Sequence, residues 1–64
     1  MEVSLEQAIE IHARVLKHRS GSHAPRKARE MAERLAQAGD HEGHRVWLRV
    51  GEVAEALIRE AEKS

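Results

Sequence analysis

Apolar residues recur along this chain at the three- and four-residue spacing of helices, not at the alternation of a strand, and they fall into three runs. The strongest is residues 40–62. At about 100° per residue, Val46, Trp47, Val50, Val53, Ala54, Leu57, Ile58 and Ala61 share one side, and Arg45, Arg49, Glu52, Glu55, Arg59 and Glu62 share the other. Leu48 breaks the pattern by projecting among the charges, on the same side as His44 and Gly51. Over residues 4–19, Leu5, Ala8, Ile9, His12, Val15 and Leu16 form a face with Ile11 at its margin. Over residues 23–38 the stripe is shallower: Ala24, Ala28, Met31, Ala32 and Leu35. The pattern predicts an all-α chain of three antiparallel helices, near 4–19, 23–38 and 40–62, with the third the longest and residues 1–64 forming one domain.

Local signals agree with these boundaries. Ser4 and Gln7 have capping-box spacing, and Val3 and Ala8 are placed for a hydrophobic staple. Glu10 and Arg14 make a favourable i,i+4 pair. Ser20-Gly21-Ser22 reads as a turn, and Pro25 is tolerated in the first turn of the helix that follows. Gly39 is a natural left-handed C-cap, and Asp40 directly after it is an N-cap.

Composition adds a constraint on size. Of the apolar residues, 41% of the chain, ten are alanine, which leaves sixteen larger side chains among 64 residues. That is close to the lower limit for a chain folding alone, and with no cysteine for a disulfide, self-association is the simplest source of further burial. The third helix outruns its partners by about two turns at ~3.6 residues per turn, so Leu57, Ile58 and Ala61 are expected to extend past the core. A homodimer built on that overhang and on the Leu48 side is therefore the expected assembly.

Charge excludes more than it suggests. Eleven basic and eleven acidic residues cancel, so no overall field draws the chain to nucleic acid or lipid. No apolar run reaches the eighteen or more residues of a membrane span, and the N-terminus shows no export signal. The absence of cysteine suits a cytoplasmic setting. Arg14, Lys17, Arg19, Arg26, Lys27 and Arg29, with His18 and His23, nonetheless form a basic run around the first turn that contains no acid. Arg19, Arg26, Lys27 and Arg29, beside the amides opening the second helix, are the candidates for an anion or nucleic-acid backbone. The plainer reading is a solvated turn neutralised by acids elsewhere. No aromatic residue interleaves with the run, so base stacking is unsupported. A helix-turn-helix is disfavoured by the tight Gly39-Asp40 junction and by Glu42, Glu52 and Glu55 on the would-be recognition helix.

Five histidines are many for this length. His41 and His44, three apart, can touch one metal, but antiparallel packing puts His18 and His23 at the other end of the second helix, roughly 20 Å away at ~1.5 Å per residue. Surface histidines are the preferred reading, with a metal held at His41 and His44 as the alternative and no cofactor expected. His12, in the middle of the first helix's face, reads as a neutral core histidine, or else as a pH-sensitive contact at a dimer seam. Ser4, Ser20, Ser22 and Ser64 sit where capping, turns or the terminus explain them, and Ser22 beside His23 has no orienting acid, so no enzyme is expected.

Ala24-Pro25 and Ala38-Gly39-Asp40, followed by Gly43 and Trp47, resemble a group of small bacterial helical proteins of uncharacterised function. In that group an alanine-rich helix, an Ala-Gly-Asp reversal and a tryptophan-bearing helix recur. The resemblance covers residues 24–58 and implies a helical hairpin, with no functional residue to carry over. The expected function is that of an interaction or adaptor protein working through helix–helix association, with Leu48, Leu57, Ile58 and Ala61 as contact residues and an unnamed protein as partner.

Overall fold

A computed structural model describes residues 4–63. Every one of them lies in helix except Ser4 and the reversal at 38–40, and no strand occurs among them. The helices number two, not three antiparallel ones. Residues 5–37 are one bent helix whose arms, α1 (Leu5–Ser20) and α2 (Ala24–Gln37), are joined by a 3₁₀ turn at Gly21–His23; α3 (His41–Lys63) is the second helix. Ser20-Gly21-Ser22 bends the chain without releasing it from helical hydrogen bonding. The Gly21 amide still donates to the Lys17 carbonyl, and the Ala24 amide donates to the Gly21 carbonyl. Gly21 alone, at φ 55°, leaves the right-handed region, which glycine does at little cost. A straight helix of this length would span about 50 Å at ~1.5 Å per residue; the longest dimension of the molecule is 40 Å, so the bend is sharp.

The start of α1 is as the sequence predicts. The Gln7 amide donates to Ser4 Oγ at 3.2 Å and the Ser4 amide to Gln7 Oε1 at 3.0 Å, a complete capping box. The expected staple between Val3 and Ala8 lies outside the described residues. The second junction is a true reversal and uses no spare residue. The Asp40 amide donates to the Leu35 carbonyl (2.8 Å) and the Gly39 amide to the Ala36 carbonyl (3.1 Å), with Gly39 at φ 86°: a Schellman end to α2. Asp40 then opens α3. Its Oδ1 accepts from the Gly43 amide at 2.9 Å and its carbonyl from the His44 amide at 3.0 Å.

The reversal lays α3 back along α2, and α1 crosses its other flank. The two arms touch each other only sparsely, so α3 is the element on which both are mounted. The shared core is built mostly from alanine: Ile9 and Ala13 of α1, Ala24 and Ala28 of α2, and Val50 and Ala54 of α3, with Ala32 buried further along α2. Leu16, Val46, Trp47, Val53 and Leu57 pack around it half-buried. Val50 is the largest fully buried side chain. Such a core requires close helices. A methyl placed on the buried Gly51 would lie 3.3 Å from the Ala28 Cβ and 3.5 Å from the Pro25 carbonyl oxygen.

Two mutations test this frame. Gly51→Val pushes branched carbons into Ala28 and Pro25, and overpacking of this kind costs about 1–3 kcal/mol; urea denaturation should show the loss. Asp40→Ala removes the α3 cap and should cost about 1 kcal/mol, with Asp40→Asn or Asp40→Ser close to wild type in the same measurement.

Candidate functional site

α1 meets α3 through one edge of the face its apolar pattern favours. Ile9 and Ala13 are buried with Leu16 half-buried, so the docked side is turned by roughly 60° from the predicted centre at ~100° per residue. Ala13, with only a methyl, lets the helices approach beside Ile9; Leu5, Ile11 and Val15 stay outside. Leu5 is 64% exposed, Ile11 55% and Val15 50%. His12 is exposed too and is not a core histidine; its ring lies against Trp47, with centroids 6.1 Å apart and planes tilted by 56°. Leu5, Ala8, His12 and Val15 run along one side of α1 with Ile11 beside them, and Trp47 borders this strip at His12. On the opposite flank Glu6 ties α1 to α3 through Arg49 at 3.5 Å, and Arg49 also reaches Glu52 at 3.0 Å. The Glu52 hydrogen bond, followed by the charge of Glu6, raises the Arg49 pKa above its ordinary value, so the guanidinium stays charged throughout.

The four contact residues expected on α3 occupy different surroundings. Leu57 is half-buried against the core and also borders a cleft with Arg14, Lys17 and His18. Ile58 is half-buried in the cleft at the bend, and Ala61 is exposed. Leu48, 38% exposed, edges a groove with Pro25, Arg29, Gly51, Glu52 and Glu55. The side of α3 that carries Leu48, Gly51 and His44 is where α2 docks: Gly51 is buried against Ala28, and His44 reaches the Ala32 carbonyl. The signal for this lies in the smallest residues. Ala24, Ala28 and Ala32 on α2 and Gly51 on α3 are a matched small-residue seam, which a search for large apolar side chains passes over.

The basic residues are only partly brought together. Arg26 and Arg29 line the cleft at the bend with Ser22, His23 and Arg59, while Arg19 and Lys27 are exposed and do not line it. Arg26 Nη2 lies 3.5 Å from His23 Nδ1. Glu55 and Glu62 share the cleft, and Glu55 holds Arg59 at 2.7 Å. The helical continuity of the bend also occupies the Gly21 and Ala24 amides, and Pro25 has none to offer. An incoming anion would therefore meet two carboxylates and few free amides.

His41 and His44 diverge in role. His41 is exposed, whereas His44 Nδ1 sits 2.8 Å from the Ala32 carbonyl oxygen across the α2–α3 contact. A carbonyl only accepts, so Nδ1 carries the hydrogen and donates it. Among the described residues no group of three or more potential ligands converges on a metal position. No helix among them is long and apolar enough to cross a membrane. No family model, curated protein or solved structure matches the chain.

His44→Ala should lower stability by about 1 kcal/mol through loss of the bond to Ala32, while His41→Ala should leave it unchanged. Paired thermal melts of the two variants check the contrast.

Proposed function

We propose that this protein is a helical interaction module that binds through helix–helix association on the outer face of α1. The observation that carries the reading is the exposure of Leu5, Ile11 and Val15 on a helix whose other side is docked. Scattered exposed leucines and valines are ordinary on any protein. These three lie on or beside one line with Ala8 and His12, at the i, i+3, i+7 spacing by which one helix covers another. The alternative contact residues on α3 are weaker candidates, because Leu57 and Ile58 already have most of their cover from the bend and the core. A core made largely of alanine methyls also leaves much of the chain's apolar surface outside, where a partner gains most by covering it.

The reading assigns no catalysis and no cofactor. Its setting is the cytoplasm, which a chain without cysteine suits. Binding of a nucleic-acid backbone at Arg19, Arg26, Lys27 and Arg29 remains the lesser reading, since Glu55 and Glu62 share the cleft that Arg26 and Arg29 line.

Ile11→Glu with Val15→Glu should leave helicity and melting close to wild type, because both side chains are half or more exposed. The pair should abolish association, whether with its own chain or with partners retained from a cell extract on the tagged wild type. Unaltered association by light scattering and by retention would remove the reading.

A further inference from the structure

The strip on α1 is self-complementary in a way that selects its occupant. Resting on the interaction reading above, we propose that the partner is a second copy of this chain, with the two α1 helices packed antiparallel about a two-fold axis near Glu10. Leu5, Ala8, His12 and Val15 are spaced 3, 4 and 3 apart, the alternation of the a and d positions of a helix-pairing seam. Their sizes alternate in a matching order. With the axis near Glu10, Leu5 of one copy stands level with Val15 of the other, and Ala8 stands level with His12. Each large ring then meets a methyl, and the outer layers pair leucine with valine. A parallel pair would instead set Ala8 on Ala8, leaving a gap, and His12 on His12, bringing two imidazoles together.

Charge points the same way. Between residues 5 and 12, α1 carries Glu6 and Glu10 with no lysine or arginine; between 13 and 20 it carries Arg14, Lys17 and Arg19 with no acid. The basic end continues through the bend to Arg26, Lys27 and Arg29. Glu6 and Glu10 stand on the flank of α1 away from the strip, so they set the polarity of the pair through the field along the helix and not by direct contacts. Antiparallel placement brings each acidic half beside the other copy's basic half, and parallel placement sets like against like. A two-fold contact of this kind is closed, so it stops at two copies. Ile11, at the margin of the strip, and Trp47, against His12, extend the apolar area on either side of the seam.

The chain has no cysteine, which makes disulfide mapping clean. Leu5→Cys and Val15→Cys are prepared separately, checked for wild-type helicity, then mixed and mildly oxidised. The antiparallel arrangement predicts a mixed disulfide, joining one Leu5→Cys chain to one Val15→Cys chain, as the main covalent product, several-fold above either self-linked species. Like positions in that arrangement are about 15 Å apart along the seam at ~1.5 Å per residue, beyond the ~7 Å Cα separation a disulfide allows. Wild type should run as a dimer by light scattering. Self-linked Leu5→Cys as the main product would overturn the polarity. A wild-type monomer at several hundred micromolar, or a dimer that gives no mixed disulfide, would overturn pairing through α1. In either case, Ile11- and Val15-dependent retention of another protein would leave the interaction reading standing, whereas its absence would end both.

Discussion

The close approach of α2 to α3 is the constraint on which the rest of the molecule depends. Ala24, Ala28 and Ala32 face a stretch of α3 that includes Gly51 and Ala54, and Gly51 is glycine because a methyl there would press on Ala28. Helices brought together over methyl groups leave little central space for large side chains, and Ile9 and Val50 take it. Leu16, Val46, Trp47, Val53 and Leu57 are accordingly found around the core and not in it. The usual arrangement, large residues inside and alanine at the margin, is inverted. The molecule is thin as a result, 16 Å along its shortest axis, and has no third layer to cover what projects outward.

Register along that contact is set at the 38–40 reversal. A Schellman end and an N-cap share Asp40, so no loop residue is free to slide α3 against α2. Gly43 belongs to the same device. A Cβ there would come within 2.6 Å of Asp40 Oδ2, so a side chain at that position would make the capping carboxylate shift. The consequence one turn later is the His44–Ala32 hydrogen bond, and two further turns along is the Gly51–Ala28 contact. A local backbone motif thus fixes a tertiary arrangement that runs from Ala28 to Gly51.

Much of this was legible in the residues. The capping box at Ser4 and Gln7, the Gly39-Asp40 junction, the Ala24/Ala28/Ala32 stripe and the span of α3 all follow from local rules that tertiary packing does not override. Other features were not. Ser20-Gly21-Ser22 has the composition of a reversal, but composition does not reveal how many residues leave the helix; only Gly21 does, and the result is a bend. The apolar face of α1 was read as one docking face although it is wider than one neighbour can cover. Which part docks is decided by the fit of Ala13, and a hydrophobicity pattern ranks alanine low. The same weighting hid the α2 side of α3 behind Leu48 and made the end of α3 look more uncovered than Leu57 and Ile58 are.

This inversion leaves apolar area on the outside of the fold. A buried alanine methyl contributes on the order of 0.8 kcal/mol, whereas full burial of a leucine or valine contributes about 1.5–3 kcal/mol. Leu5, Ile11 and Val15 leave most of that potential unrealised when the chain is alone. Covering the outer side of α1 would recover it. That matters because α1 is the more weakly mounted arm: it shares little with α2, and its one ion pair to α3, Glu6–Arg49, is exposed and contributes little. The bend gives α1 its position but not its grip. In this fold the outer side of α1 is the surface whose covering would most stabilise the fold.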